Sequence, residues 1–511
     1  MMASASLKLL LLLLCSYHTL IARGGDDRSY KVLATGSVKT DAVCSEPKAT
    51  PSSGGATVPL HHRHGPCSQL LSKKVPTFEE MLRGDQLRAC YIQRKFSGAG
   101  DVQQSDATVP TTLGSSLSSV IVINCNPEFP LNSVSVGVEL GLDNHIHPSA
   151  SLVMGPRRAV LAASLPELLI GAGEEFRLTN SLEYVITVGI GSPVVTQTVL
   201  IDTGSDVSWV QCKPCSQCHS QADPLFDPSA STTYSRFSCS SAACAQLGLE
   251  GNGCSSSQCQ YIVKYGDGSR TTGTYSSDTL ALGSNAVKSF QFGCSHAESG
   301  FDNQTDGLMG LGGGAQSLVS QTAGTFGTAF YCLPTTSSSS GFLTLGAASS
   351  GFTTTPMLRS SKVPTFYGVL LQGIMVGGKQ LNVAPSVFSV GSIMDSGTVI
   401  TRLPPTAYSA LSSAFKAGMK QYPPAPPSSI LDTCFDFTGL SSITIPTVAL
   451  VFSGSVTVDL DPNGIIISNC LAFAATSNNN STGIIGNVQQ RTFEVLYDAG
   501  RAVVGFTAGA C

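Results

Sequence analysis

The chain has 511 residues, of which 42% are hydrophobic and only 12% charged. That balance describes a packed globular protein and excludes a disordered one. The formal net charge is -4, and no basic stretch runs along the chain, which weighs against a nucleic-acid partner.

Lys8 precedes an unbroken leucine run, Leu9 to Leu14, and apolar character continues loosely to Ala22. A short apolar core behind one positive charge reads as a secretory signal peptide over residues 1–23. The run is short for a membrane span of about 20 residues, so no stable membrane insertion is expected once it is cleaved. Seventeen cysteines point to an oxidising compartment. The expected location is extracellular.

From Arg23 to Thr179 the pattern is less regular. Pro-, Ser- and Gly-rich patches surround one helical piece, Phe78 to Phe96, in which Met81, Leu82, Leu87, Tyr91 and Ile92 recur at roughly helical spacing among basic residues. The cluster His61-His62-Arg63-His64 with Cys67 has metal-binding residue types, but such a patch reads better as a solvated surface. No metal and no cofactor is expected. Roughly sixty residues, Leu117 to Asn180, carry Cys125 and two short apolar runs, Val120–Ile123 and Leu168–Ile170. They read either as an insertion or as translated non-coding sequence.

Ordered pattern starts at Tyr184-Val185-Ile186-Thr187-Val188-Gly189-Ile190-Gly191, rich in β-branched and small residues, with a turn at Ser192-Pro193. Short strand-like runs between Gly, Ser, Pro and Asn clusters continue to the C-terminus. Pro405 to Gln421 is the clearest helical pattern. The fold expected is mostly β.

Two stretches carry chemistry. Val199-Leu200-Ile201 runs into Asp202-Thr203-Gly204-Ser205, and Ser392-Ile393-Met394 runs into Asp395-Ser396-Gly397-Thr398, 193 residues later (395 minus 202). An acid at the end of a buried strand needs hydrogen-bond donors and a backbone free to approach closely. Two such carboxylates facing each other cannot both ionise, and one proton shared between them makes an acid–base pair.

With Trp209 after the first motif, Tyr265-Gly266-Asp267-Gly268-Ser269 as a hairpin, and Leu308-Met309-Gly310 and Ile484-Ile485-Gly486 as apolar-apolar-Gly segments, the chain resembles the pepsin-like aspartic proteases over roughly Leu182 to Cys511. The resemblance implies a bilobal β fold with the active site between two related lobes. It implies peptide hydrolysis by water activated between Asp202 and Asp395. Ser205 and Thr398 would hydrogen-bond the outer carboxylate oxygens, and Thr203 and Ser396 would tie the two loops together. Tyr265, with Gly266 and Asp267, would form a flap over a protein or peptide substrate, with Tyr265 bonding Trp209. The implied arrangement is a monomeric zymogen. Its divisions are a propeptide with an atypical insertion over residues 24–180, an N-terminal lobe over 181–360 and a C-terminal lobe over 361–511. The basic helical piece would cover the acidic cleft, or else be an exposed spacer. The lobe boundary is expected in the Ser- and Thr-rich stretch from Ser337 to Lys362. Phe330-Tyr331-Cys332 is one residue shorter than the family's usual segment. The rival reading is a pepsin-fold binding or inhibitor protein, which has typically lost part of this machinery.

Twelve cysteines lie in this region: Cys212, Cys215, Cys218, Cys239, Cys244, Cys254, Cys259, Cys294, Cys332, Cys434, Cys470 and Cys511. The even number suits a closed disulfide framework. The cluster from Cys212 to Cys259 resembles the insert of nepenthesin-like plant aspartic proteases, which implies a location in the apoplast or cell wall, with the vacuole as the alternative. That resemblance implies Cys434–Cys470, with Cys239–Cys259 nested around Cys244–Cys254. Cys332–Cys511 is the favoured guess among the remainder. Asn303, Asn479 and Asn480 begin glycosylation sequons.

Overall fold

The computed structural model describes residues 29–34, 44, 55–68, 70, 76–98, 184–301, 304–336, 338–346, 351–491, 493–508 and 511. The signal-peptide reading, the Leu117 to Asn180 stretch and Asn303 lie outside them. Strands dominate, as the short alternating runs predict. No helix among the described residues is long and apolar enough to cross a membrane.

The two acid motifs sit in matching frameworks. Val195–Asp202 pairs in parallel with Gly307–Gly310, which pairs antiparallel with Trp209–Gln211, which in turn pairs in parallel with Asn285–Ser299. In the second half, Ser392–Met394 pairs in parallel with Gly483–Ile485, which pairs antiparallel with Thr401–Leu403, itself parallel to Phe473–Ala475. The same order and the same strand directions recur, so the chain holds two copies of one motif. Val199, Leu200 and Ile201 on one side, and Ile393 and Met394 on the other, are buried. Each acid therefore leaves the end of an apolar strand that packing holds in place.

Strand residues also come from places where the sequence reads as irregular. Ala56–His62 inserts between Ser340–Leu345 and Tyr184–Ile190 in the large sheet. Ala56, Val58 and Leu60 are buried, a period-two pattern interrupted in appearance by Pro59. Tyr30–Ala34 pairs with Ser442–Pro446. The expected lobe boundary likewise supplies two strands, Ser340–Leu345 and Thr353–Pro356. Ala329–Cys332 holds its place between Ser340–Leu345 and Phe493–Asp498 despite its short segment. The helix over Pro405–Gly418 forms as its pattern predicts.

All twelve cysteines of this region are paired. The bonds are Cys212–Cys294, Cys215–Cys218, Cys239–Cys254, Cys244–Cys259, Cys332–Cys511 and Cys434–Cys470. Cys434–Cys470 and Cys332–Cys511 agree with expectation, and the nested pair does not. The short helix Ala242–Gln246 turns Cys244 onto the buried Cys259, and Cys239 is left for the exposed Cys254. A further bond, Cys44–Cys67, ties the N-terminal segment, so Cys67 is not a metal ligand. Among the described residues no group of His, Cys, Asp or Glu is arranged to hold a metal ion. His61 Nδ1 lies 3.1 Å from the Ser340 hydroxyl and His62 packs edge-on to Tyr184.

Mass spectrometry without reduction is expected to find no free thiol beyond residue 200. Replacing Cys434 and Cys470 with serine is expected to lower stability by roughly 2–4 kcal/mol in chemical denaturation.

Candidate active site

The two loops that follow the acid strands are tied to each other. The Thr203 amide donates to Ser396 Oγ at 3.1 Å, and the Ser396 amide donates to Thr203 Oγ1 at 2.8 Å. This exchange fixes the separation of Asp202 and Asp395. The Gly204 amide donates to Asp202 Oδ1 at 2.9 Å and the Gly397 amide to Asp395 Oδ1 at 3.3 Å. A Cβ on Gly204 would stand 2.8 Å from Asp395 Oδ1, so a larger residue would push the acids apart. The Thr398 hydroxyl donates to Asp395 Oδ2 at 2.5 Å. Ser205 Oγ is buried without a hydrogen-bond partner, so the expected bond to Asp202 is not made in this state. Behind the loops, the Leu311 amide donates to the Asp202 carbonyl at 2.8 Å and the Asp395 amide to the Ile485 carbonyl at 3.1 Å. Asn487 Nδ2 donates to the Ser396 carbonyl at 3.0 Å.

The expected flap is a hairpin between Gln258–Lys264 and Arg270–Leu282. Asp267 Oδ1 accepts from the Ser269 amide and hydroxyl at 2.9 and 2.6 Å, which closes the turn. Trp209 Nε1 donates to Tyr265 Oη at 2.8 Å, and Phe301 packs against both rings. Burial pushes the carboxyl of Asp267 and the phenol of Tyr265 above their ordinary ranges.

The helix Phe78–Ser97 lies in the cleft. Thr77 and Glu80 form a capping box at its start, and Gly98 ends it at φ 69° in the left-handed region. Its Leu82 packs against Val399, Ile400 and Leu431 of the second lobe. Its Ala89 and Ile92 pack against Phe366, Ile393 and Ile484. Arg88 points at the acid pair. Its Nε and Nη2 donate to Asp395 Oδ2 and Oδ1 at 2.8 and 2.7 Å, and Nη2 donates also to Asp202 Oδ1 at 2.6 Å. One nitrogen thus bonds both inner carboxylate oxygens. Burial pushes the Asp395 carboxyl up, but the Arg88 guanidinium, the Thr398 hydroxyl and the Gly397 amide outweigh it and hold the group below the usual carboxylate range. Burial works against the charge on Arg88, and the two carboxylates more than restore it.

One turn earlier, Asp85 accepts from the Val399 amide at 2.5 Å and the Ile400 amide at 3.4 Å, and from Arg402 Nη2 at 2.5 Å. Arg402 Nη1 donates to Gln86 Oε1 at 2.8 Å. Burial pushes the Asp85 carboxyl above its ordinary range even though Arg402 and the two amides oppose it. Sequence reasoning placed a basic helix over the cleft without singling out Arg88, Asp85 or Arg402. The signal was present: Asp85 and Arg88 fall on the same helical stripe as Leu82, Ala89 and Ile92, where charged residues are out of place unless paired.

Residues 184–347 and 366–508 match the family models described as xylanase inhibitor N-terminal and xylanase inhibitor C-terminal. An aspartyl protease family protein of Arabidopsis thaliana is 44% identical over 346 residues, covering 65% of this chain and 73% of that protein. Aspartyl protease AED1 of the same plant is 36% identical over 94% of this chain and 92% of its own length. Aspartic proteinase nepenthesin-2 of Nepenthes gracilis is 38% identical, over 64% of this chain and 78% of that protein. Among solved structures, conglutin gamma, a basic 7S globulin from lupine seeds, superposes with a TM-score of 0.52 at 19% identity, over 64% of this chain and 92% of that one. Soybean basic 7S globulin gives 0.51 at 20% identity, over 63% and 90%. At that identity the structural likeness speaks for the fold alone.

Proposed function

The chain belongs to the pepsin-like aspartic proteases of the nepenthesin type, and on that premise we propose that it hydrolyses peptide bonds with a water held between Asp202 and Asp395, once its own helix leaves the cleft. The observation that carries this reading is the position of Arg88 Nη2, bonded to the inner oxygens of both acids. A group there blocks the place where a nucleophilic water would be held by the same two oxygens.

With the helix gone, two buried carboxylates face each other and share one proton. The ionised member takes a proton from the water as its oxygen attacks the scissile carbonyl carbon. The neutral member gives its proton to the carbonyl oxygen. Collapse of the tetrahedral adduct breaks the C–N bond, and the leaving nitrogen takes a proton from the pair. No covalent enzyme intermediate forms. Tyr265, held by Trp209, closes over the substrate and excludes water.

This reading makes residues 24–180 a propeptide with an insertion, 181–360 and 361–511 the two catalytic lobes, and the mature N-terminus a point near Asn180. It makes the protein a secreted monomer. Of the overlapping sequons, Asn479 is bonded through its side chain to Thr406, which leaves Asn480 as the better glycan acceptor. The rival, a non-proteolytic binding protein, is favoured by the family-model descriptions. Against it stand both acids and the flap tyrosine.

Opening depends on pH, and its sign follows from Asp395. Its carboxyl is held below the ordinary 3.8 in the closed state, so its contribution to helix docking is present above that value and lost as pH falls below it. Asp85, pushed up by burial, works in the opposite sense and favours docking at low pH. Acidification therefore opens the cleft only once Asp395 is protonated. The purified precursor is expected to stay intact at pH 6 and to convert below about pH 4, with N-terminal sequencing finding the new terminus near Asn180. A fully active protein that retains Phe78–Ser97 at acid pH would refute the zymogen reading.

A further inference from the structure

Asp202 and Trp209 are seven residues apart (209 minus 202), and so are Asp395 and Arg402 (402 minus 395). The strand pairings make the correspondence structural, because Trp209 lies opposite Leu308 and Arg402 lies opposite Ile484, the first residues of the two apolar-apolar-Gly segments. Trp209 reaches from its lobe to hold the flap tyrosine. Arg402 is its counterpart on the other lobe.

Arg402 is buried, yet among the described residues its guanidinium makes no hydrogen bond to the lobe that carries it. Nη2 and Nη1 bond Asp85 and Gln86 of the helix, and Nε is buried with no partner. The amides of Val399 and Ile400 also aim at the Asp85 carboxylate. Removing the helix leaves a cation and two amides converging on one empty place. An unpaired buried charge is strongly unfavourable, so the place calls for an anion. It lies one helical turn from Arg88, about 5 Å along the axis, and hence about two residues of extended chain from the acid pair.

We propose that Arg402, with the Val399 and Ile400 amides, forms a subsite of the opened protease that selects an acidic side chain, Asp or Glu, close to the scissile bond. The proposal rests on the proteolytic reading above. Asp85 occupies the subsite in the precursor as an internal stand-in for that side chain. Arg402 acts as a specificity-determining residue: a planar guanidinium takes a carboxylate through two parallel bonds, and its spare Nε–H supplies the second donor.

The test uses the full-length precursor after acid conversion, assayed on the less acidic limb of its activity profile, where the peptide's Glu, with an ordinary value of about 4.3, is ionised. Its substrates are peptides identical except for Glu or Gln at one position, scanned over four residues on each side of the cleaved bond. At one position the Glu peptide is expected to have a kcat/KM at least tenfold higher, equivalent to about 1.4 kcal/mol, carried mainly by KM. Arg402→Gln is expected to abolish that preference, and Arg402→Lys to retain part of it. Equal cleavage of Glu and Gln peptides at every position overturns the subsite while leaving the protease reading intact. A preference that survives Arg402→Gln also overturns it. Cleavage of no peptide overturns both. The wild-type scan decides the matter even where the Arg402→Gln precursor fails to fold.

Discussion

Asp202→Asn and Asp395→Asn are each expected to lower kcat of the converted protein by about a thousandfold or more, since general acid–base catalysis alone contributes up to about four orders of magnitude. The amide keeps the shape of the carboxyl and the bond from the Gly204 or Gly397 amide, so the fold and the disulfides should be unchanged. What is lost is the exchangeable proton. Because the two acids act as one unit, the double variant should be little worse than either single one. Tyr265→Ala should lose activity less completely, because the flap positions the substrate and carries no proton. Steady-state kinetics on one peptide, with circular dichroism as the control for folding, measures all four. Turnover by either Asn variant near the wild-type rate would remove the acid pair from the chemistry.

The second large effect concerns the precursor. Arg88→Ala removes a guanidinium bonded to two buried carboxylates and leaves them facing each other unpaired. Breaking a buried ion pair from one side costs about 3–5 kcal/mol. That corresponds to roughly two to three and a half orders of magnitude in the population of the open form. The variant precursor should therefore convert at pH values where the wild type stays closed, and should bind a substrate-like inhibitor without prior acid treatment. Arg88→Lys should fall between, because a point charge cannot reach all four carboxylate oxygens of the two acids as the fork does. Hydrogen exchange over Phe78–Ser97 reads the same opening directly. Unchanged exchange and an unchanged conversion threshold in Arg88→Ala would mean that the apolar contacts of Leu82, Ala89 and Ile92 hold the helix without the clamp.

The acid motifs were legible because their requirements are local. An apolar strand, an acid, a hydroxyl and a glycine in succession say what the backbone must do, and the structure brings Asp202 and Asp395 together through the Thr203–Ser396 exchange. Trp209 and Tyr265 came from the resemblance to the family, and their side chains meet at 2.8 Å. The partners of Arg88 lie 114 and 307 residues away in sequence, so its place on the apolar stripe says that it must be paired without saying with what. Ala56–His62 was obscured by Pro59, whose missing N–H argues against a central strand. Its alternation of buried Ala56, Val58 and Leu60 decided the outcome. The cysteine pairing failed where it depended on the direction of one short helix, Ala242–Gln246, which spacing does not reveal. Arg402 was the nearest miss, since the internal duplication that relates the two acids also relates Arg402 to Trp209.

The most direct test of the acid-pair account is cleavage of a denatured protein by the acid-converted chain across pH, with and without pepstatin. The account predicts a bell-shaped profile confined to acid pH, whose two limbs belong to the pair and not to either acid, and which pepstatin abolishes. Absence of cleavage, or cleavage that persists at neutral pH and ignores pepstatin, would contradict it.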